Sequence, residues 1–242
     1  MSSSPSQIIT VDGASGSGKT TLLRGLGEHY DCMVVELGPI VRTASWLAER
    51  RHIPVVDAVA ELVRLQNLRR LRIDRPAAGL LAASEIEMEG RVLRQEIFAR
   101  SLNPVVRELS LSPESMAQVK MLLKASVIGR RAVVSGREAG EIFGSSAALQ
   151  IRLEATAQVR RARKHAQLIG AGMRVSWMDD ARLLTPREGS QLVYDTTAFD
   201  AASVLKQVRA RIEHDLSWPR LCADEAALRV DGPHWLPLSL GA

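Results

Sequence analysis

Residues Gly13-Ala14-Ser15-Gly16-Ser17-Gly18-Lys19-Thr20 fit G-x-x-x-x-G-K-[ST] and directly follow the apolar run Ile8-Ile9-Thr10-Val11. A strand that ends in this loop and continues into a helix is the context in which the motif binds phosphate. The glycines permit torsions and a closeness of approach that side chains forbid, so successive N–H groups can point at phosphate oxygens. Lys19 is placed to bridge β- and γ-phosphates, and Thr20 to offer its hydroxyl to Mg²⁺. The helix opening at Thr20-Thr21 adds the partial positive charge of its N-terminus to the same point. The motif predicts a nucleoside triphosphate with Mg²⁺ and leaves kinases, GTPases and motor ATPases open.

Further apolar runs at Gln7–Val11, Cys32–Leu37, Ala132–Ser135, Leu149–Leu153 and Leu192–Tyr194 alternate with segments of helical spacing. Val55 to Leu71 has a 3.6-residue apolar recurrence behind Pro54, and Ala157 to Leu168 sets Arg160, Arg163 and Lys164 on one face. The alternation predicts an α/β fold: a three-layer P-loop sandwich whose five-stranded parallel sheet carries helices on both faces. Ligands of such sheets bind at the carboxyl ends of the strands. Residues 44–126 interrupt the alternation and read as an inserted acceptor-binding module within a core of residues 1–43 and 127–216. Within the insert, Leu80 to Gly90 suits short strands or a helix. A helix over Val204–His214 and an irregular tail, residues 217–242, that packs through its tryptophans complete the reading.

The formal charge of +5, with Arg-rich clusters, suits an anionic partner. Aromatic residues make up 4% of the chain and no stacking motif accompanies the basic groups, which disfavours nucleic acid. A small phosphate-bearing acceptor is preferred. No long uncharged apolar run or signal peptide stands in the sequence, so a soluble, cytoplasmic protein without a membrane partner is expected. Cys32 and Cys222 fit neither a disulfide framework nor a zinc site. Oligomeric state is left open, a monomer among the readings.

Two further segments narrow the chemistry. Gly136-Arg137-Glu138 follows the strand Ala132–Ser135, and Glu36-Leu37-Gly38-Pro39-Ile40-Val41-Arg42 follows the strand starting at Cys32. Each puts an arginine and a carboxylate beside the loop, as phosphoryl transfer requires when cations neutralise spreading charge. With these segments the chain resembles the cytidylate kinase family from about Ile8 to Ile212. VDGASGSGKTTL is similar to that family's first strand and loop, ELGPIVRTAS to D-[ST]-G-x-x-Y-R, VVSGREAG to V-V-D-G-R-D-x-G, and VYDTT to I-D-T-T. The resemblance implies ATP and Mg²⁺ as cofactors, with Gly13 to Thr21 around the phosphates and Lys19, Arg42 and Arg137 as catalytic cations. Thr20, Asp12 and Glu36 would serve the metal, and Arg160 with Arg163 or Lys164 would lie near the donor base or phosphates. Leu37, Arg42, Met116, Arg137 and Glu138 would face the acceptor.

The departures bear on the acceptor. Leu37 stands where the family has a cytosine-bonding Ser or Thr, Val41 replaces a Tyr, Glu138 an Asp, and Met116 falls where an Arg is expected in a gapless alignment, while a placement on Asn103 to Arg107 keeps the Arg but strains the spacing to Gly136. Between Val175 and Gly189 only Arg182 and Arg187 stand in for an arginine-rich lid. The resemblance implies γ-phosphoryl transfer to a nucleoside monophosphate such as CMP or dCMP. The departures leave two alternatives: a kinase for a modified nucleotide, phosphonate or other metabolite, and a nucleotide-binding protein without catalysis.

Overall fold

A computed structural model describes residues 7–76, 81–136, 138–172 and 192–221. Its centre is β1 (Ile8–Gly13), every residue of which is buried. Around it lie β2 (Met33–Glu36), β6 (Ala132–Gly136), β7 (Ala147–Glu154) and β8 (Leu192–Asp195), all parallel, in the order β2-β6-β1-β7-β8. The five-stranded parallel sheet predicted from the alternation is therefore present. Ile9 sits between Val133 and Leu149 on one face and Ile8 between Ala132 and Ala147 on the other, so the middle strands are apolar on both faces.

The two faces build two cores because strand side chains alternate. Ile9, Val11 and Val133 point to one face, where α1 (Lys19–His29) and α8 (Ala201–Asp215) supply Leu22, Leu23, Leu26, Val204, Val208 and Ile212. Ile8, Ala132 and Val134 point to the other, where they meet α2 (Leu37–Arg51), α3 (Val55–Asn67), α5 (Pro113–Val127) and α6 (Ala139–Phe143). Each fully buried Leu or Ile contributes on the order of 1.5–3 kcal/mol before conformational entropy is charged against it.

Residues between α3 and α5 form a second, antiparallel sheet, β3-β4-β5, from β3 (Leu71–Pro76), β4 (Ser84–Met88) and β5 (Arg91–Leu93). Glu89 and Gly90 both have positive φ, 53° and 80°, and join Met88 to its partner Arg91. That is the two-residue hairpin whose twist matches the strands it links. The segment that suited strands or a helix is thus strand from Ser84 on; residues 77–80 lie outside the described residues. Two boundaries move. Helix α3 ends at Asn67, and Leu71 opens β3 instead of closing the helical stripe, with Leu68 left exposed between them. Leu37 starts α2 instead of ending β2.

Ile86, Met88, Leu93 and Ile97 of this second layer share one apolar cluster with Ile40, Leu47 and Val134. Helix α2 runs unbroken through residues 43 and 44. At the opposite edge Trp218 is buried edge-on against Tyr30, ring centroids 5.8 Å apart, and Tyr30 bridges Arg220. Trp235 lies outside the described residues.

On α3, Glu61 accepts from Arg64 Nε and Nη2 at 2.6 and 2.7 Å and from Arg51 Nη1 at 3.1 Å. These bonds, Arg64's first, hold its carboxyl down to about 2. A depressed carboxyl contributes stability that is complete above the unfolded value of roughly 4.3 and is lost as pH falls through the folded one. Urea midpoints recorded from pH 5 to pH 2 are expected to fall more gently for Glu61→Gln than for the wild type. The difference should be about 1 kcal/mol or less because the pair is near the surface, and parallel curves would refute it.

Candidate active site

At the carboxyl end of β1 the chain must leave the sheet and begin α1 within five residues. It does so through backbone angles only glycine adopts freely: Gly16 has φ 79° and Gly18, which starts the helix, φ 97°. A β-carbon on Gly16 would run into the carbonyl oxygen of Arg160 on α7 (Ala157–Gly170). The first turn of α1 carries no carboxylate, so its positive end is left for an external anion.

Lys19 Nζ donates to the carbonyls of Gly13 and Ala14 at 2.6 and 2.9 Å, folding the side chain back over the loop. Thr20 Oγ1 donates to Glu36 Oε1 at 3.1 Å. Glu36 ends β2 and is 7% exposed; its other oxygen accepts from the backbone N–H groups of Ala83 and Ser84. Burial raises its carboxyl, against those two bonds, the Thr20 hydroxyl and the Lys19 charge. One carboxylate thus ties the loop helix to the start of β4, and Arg24 of α1 donates to Ala82 O beside it. A hydroxyl backed by a carboxylate is a hard-oxygen pair suited to Mg²⁺, which takes few protein ligands and completes its shell with water and phosphate.

Asp12, the other carboxylate read toward the metal, is engaged differently. Oδ1 accepts from Ala139 N at 2.7 Å and Oδ2 from Gly140 N at 3.0 Å, so it ties β1 to the start of α6. Burial raises its carboxyl, partly offset by these bonds and by Lys19.

Across the cleft Arg42 of α2 donates to Ile97 O at 3.3 Å and Asn103 Oδ1 at 3.4 Å, and its guanidinium lies 5.5 Å from the centre of the Phe98 ring. Burial lowers its pKa. Lys164 of α7 lies within its field. Burial first, then Arg42, push the Lys164 ammonium down, and Glu36 pulls it back up. Lys164 Nζ donates to Gln167 Oε1 at 2.7 Å, and partly desolvated cations near one already engaged carboxylate gain from an added anion. Beside it a cavity of about 270 Å³ opens among Ser84, Leu93, Arg94, Ile97, Phe98 and Gly170.

The structure therefore brings together Gly13, Ala14, Ser15, Gly16, Ser17, Gly18, Lys19, Thr20, Glu36, Arg42 and Lys164. Arg160 and Arg163 lie behind the loop: Arg160 Nη1 donates to Ser15 O at 3.4 Å, and Arg163 grips the backbone and side chain of Thr196, just beyond β8. Leu37 is buried against Gly136. Met116 packs on the core near the start of α5, and Glu138 pairs with Lys120 Nζ at 3.1 Å on an exposed surface. Arg137, Arg182 and Arg187 lie outside the described residues. Thr196 and the Ala83–Ser84 amides are contacts that sequence reasoning missed; the VYDTT match was the one available signal for Thr196.

Among the described residues there is no group of three or more His, Cys, Asp or Glu that could hold a metal ion, and no helix is long and apolar enough to cross a membrane. The family model for cytidylate kinase matches residues 9–188. A cytidylate kinase of Dichelobacter nodosus is 23% identical over 227 residues, which cover 84% of this chain and 95% of the relative. One of Aeromonas hydrophila is 26% identical over 223 residues, 86% of this chain and 95% of its own. One of Rhodococcus jostii reaches 29% over 170 residues, 68% and 70% of the two chains.

Proposed function

The chain belongs to the cytidylate kinase family, and from that premise we propose that it transfers the γ-phosphoryl group of ATP to a nucleoside monophosphate, CMP or dCMP first among them. The observation that carries this reading is Arg42, a buried cation that donates to Ile97 O and lies over the Phe98 ring, both of which line the cavity. An acceptor phosphate held by Arg42 and Lys164 would leave its base for the cavity and its oxygen facing the loop.

In this reading Gly13 to Thr21 cradle the donor phosphates. Mg²⁺, held through Thr20 with Glu36 behind it, supplies charge neutralisation when bound. Lys19 leaves the Gly13 and Ala14 carbonyls for the donor phosphates, a donor exchange that keeps its ammonium satisfied in both positions. Arg42 and Lys164 fix the acceptor oxygen in line, and such orientation supplies most of the gain where the protein forms no covalent bond itself.

A second acceptor class is favoured by one observation. Leu37 is 8% exposed and packed on Gly136, so this position offers an acceptor base no hydroxyl. Losing one hydrogen bond to the base lowers the discrimination the site can achieve. ADP release from Mg·ATP across ribo- and deoxynucleoside monophosphates separates the readings. Turnover of CMP or dCMP at least tenfold above UMP and AMP is expected. Silence across the panel would reject a nucleotide acceptor.

A further inference from the structure

A loop whose N–H groups converge on a phosphate must turn its carbonyls outward, and each outward carbonyl needs a donor. For Ser15 and Ser17 the donors come from distant segments. Arg160 Nη1 serves Ser15 O, and Thr196 Oγ1 reaches Ser17 O at 3.1 Å. Thr196 lies 179 residues from Ser17 in sequence and is 5% exposed. Thr196 Oγ1 is also 3.0 Å from Glu154 O, a carbonyl that already accepts from Thr196 N at 2.7 Å, so the hydroxyl lies between two acceptors, of which Ser17 O lacks that amide.

The hydroxyl is itself held. Arg163 Nη1 donates to Thr196 Oγ1 at 2.8 Å and Nη2 to Thr196 O at 2.6 Å, a fork that fixes both the rotamer and the peptide. A proton donated to Thr196 Oγ1 by a guanidinium leaves the hydroxyl's own proton for a carbonyl, Ser17 O or Glu154 O. Arg160, one turn earlier on the same helix, backs Gly16 with its carbonyl and Ser15 with its guanidinium.

We propose that Thr196, oriented by Arg163, is a positioning residue for ATP: it turns the Ser17 peptide so that the loop presents its N–H groups before the nucleotide arrives. The inference rests on Gly13–Thr20 being the site of the donor phosphates. It assigns the two α7 arginines to the shape of the loop and not to direct contact with the donor.

Thr196→Val keeps the volume and removes both the donor and the acceptor. Its KM for ATP and its Kd for ADP should rise about tenfold, the size of one hydrogen bond, with the acceptor KM shifted less than twofold. Thr196→Ser, which restores the hydroxyl, should recover most of the loss. Arg163→Lys, which keeps the charge but not the fork, should raise the ATP KM severalfold; it carries the test if the valine variant does not fold. Unchanged ADP affinity in Thr196→Val overturns the proposal, as does an equal rise in both substrates' KM or a serine variant no better than the valine one. A wild-type chain that binds neither ATP nor ADP would instead overturn the assignment of the loop itself.

Discussion

Lys19→Ala is expected to lower kcat for phosphoryl transfer by at least about a thousandfold, the scale on which removing a positioned cation acts in this chemistry. The fold should survive. The ammonium donates to the Gly13 and Ala14 carbonyls, and each such bond is worth roughly 1 kcal/mol net. Coupled-assay turnover and a thermal melt on the same preparation check both halves. Turnover within tenfold of the wild type would remove Lys19 from the site. A collapsed melt would instead make its role that of a brace for the loop.

Residues Ile8 to Thr20 were legible because a fully buried strand, a glycine-rich loop and a helix start each leave a local mark on the sequence. The parallel sheet followed from the alternation of apolar runs with helical stripes. The short antiparallel sheet was less so. Leu71-Arg72-Ile73-Asp74-Arg75-Pro76 has a strand's alternation, but Leu71 also extends the stripe of Val55 to Leu68, and three residues are too few to tell the periods apart. The tertiary pairing of Leu71 with Met88 decides it. Glu89-Gly90 marked the hairpin through its glycine alone, since glutamate is not a residue that favours positive φ.

In the site, side chains were easier to read than their partners. Glu36 and Arg42 stand where a strand end and the following helix put them, and both reach the cleft. Arg160 and Arg163 were legible as cations on one helix face. Their partners are mainly backbone carbonyls and a hydroxyl brought from residues 15 and 196, and a carbonyl has no sequence signature. Glu138 is similar: the carboxylate follows β6 as expected, yet Lys120 on the neighbouring α5 pairs with it on the surface. Asp12 was readable as a carboxylate at a strand end, but not as the acceptor for the first N–H groups of a five-residue helix.

Lys164 should titrate below an ordinary lysine, and replacing it with Met should cost on the order of a hundredfold in kcat/KM, as expected for one positioned donor in a partly desolvated cleft. Burial and then Arg42 lower its pKa, with Glu36 opposing. The charged form is the one that holds a phosphate. Activity is therefore full below the lowered value and falls as pH rises through it, so the alkaline limb of kcat/KM should begin below the range of an ordinary lysine. Lys164→Arg replaces the ammonium with a group that does not deprotonate in proteins. It should keep part of the activity and lose that limb, while Lys164→Met should be slow at every pH. A limb that persists in the arginine variant would assign the titration to another group, and a methionine variant within threefold of the wild type would leave Arg42 as sufficient for the acceptor phosphate.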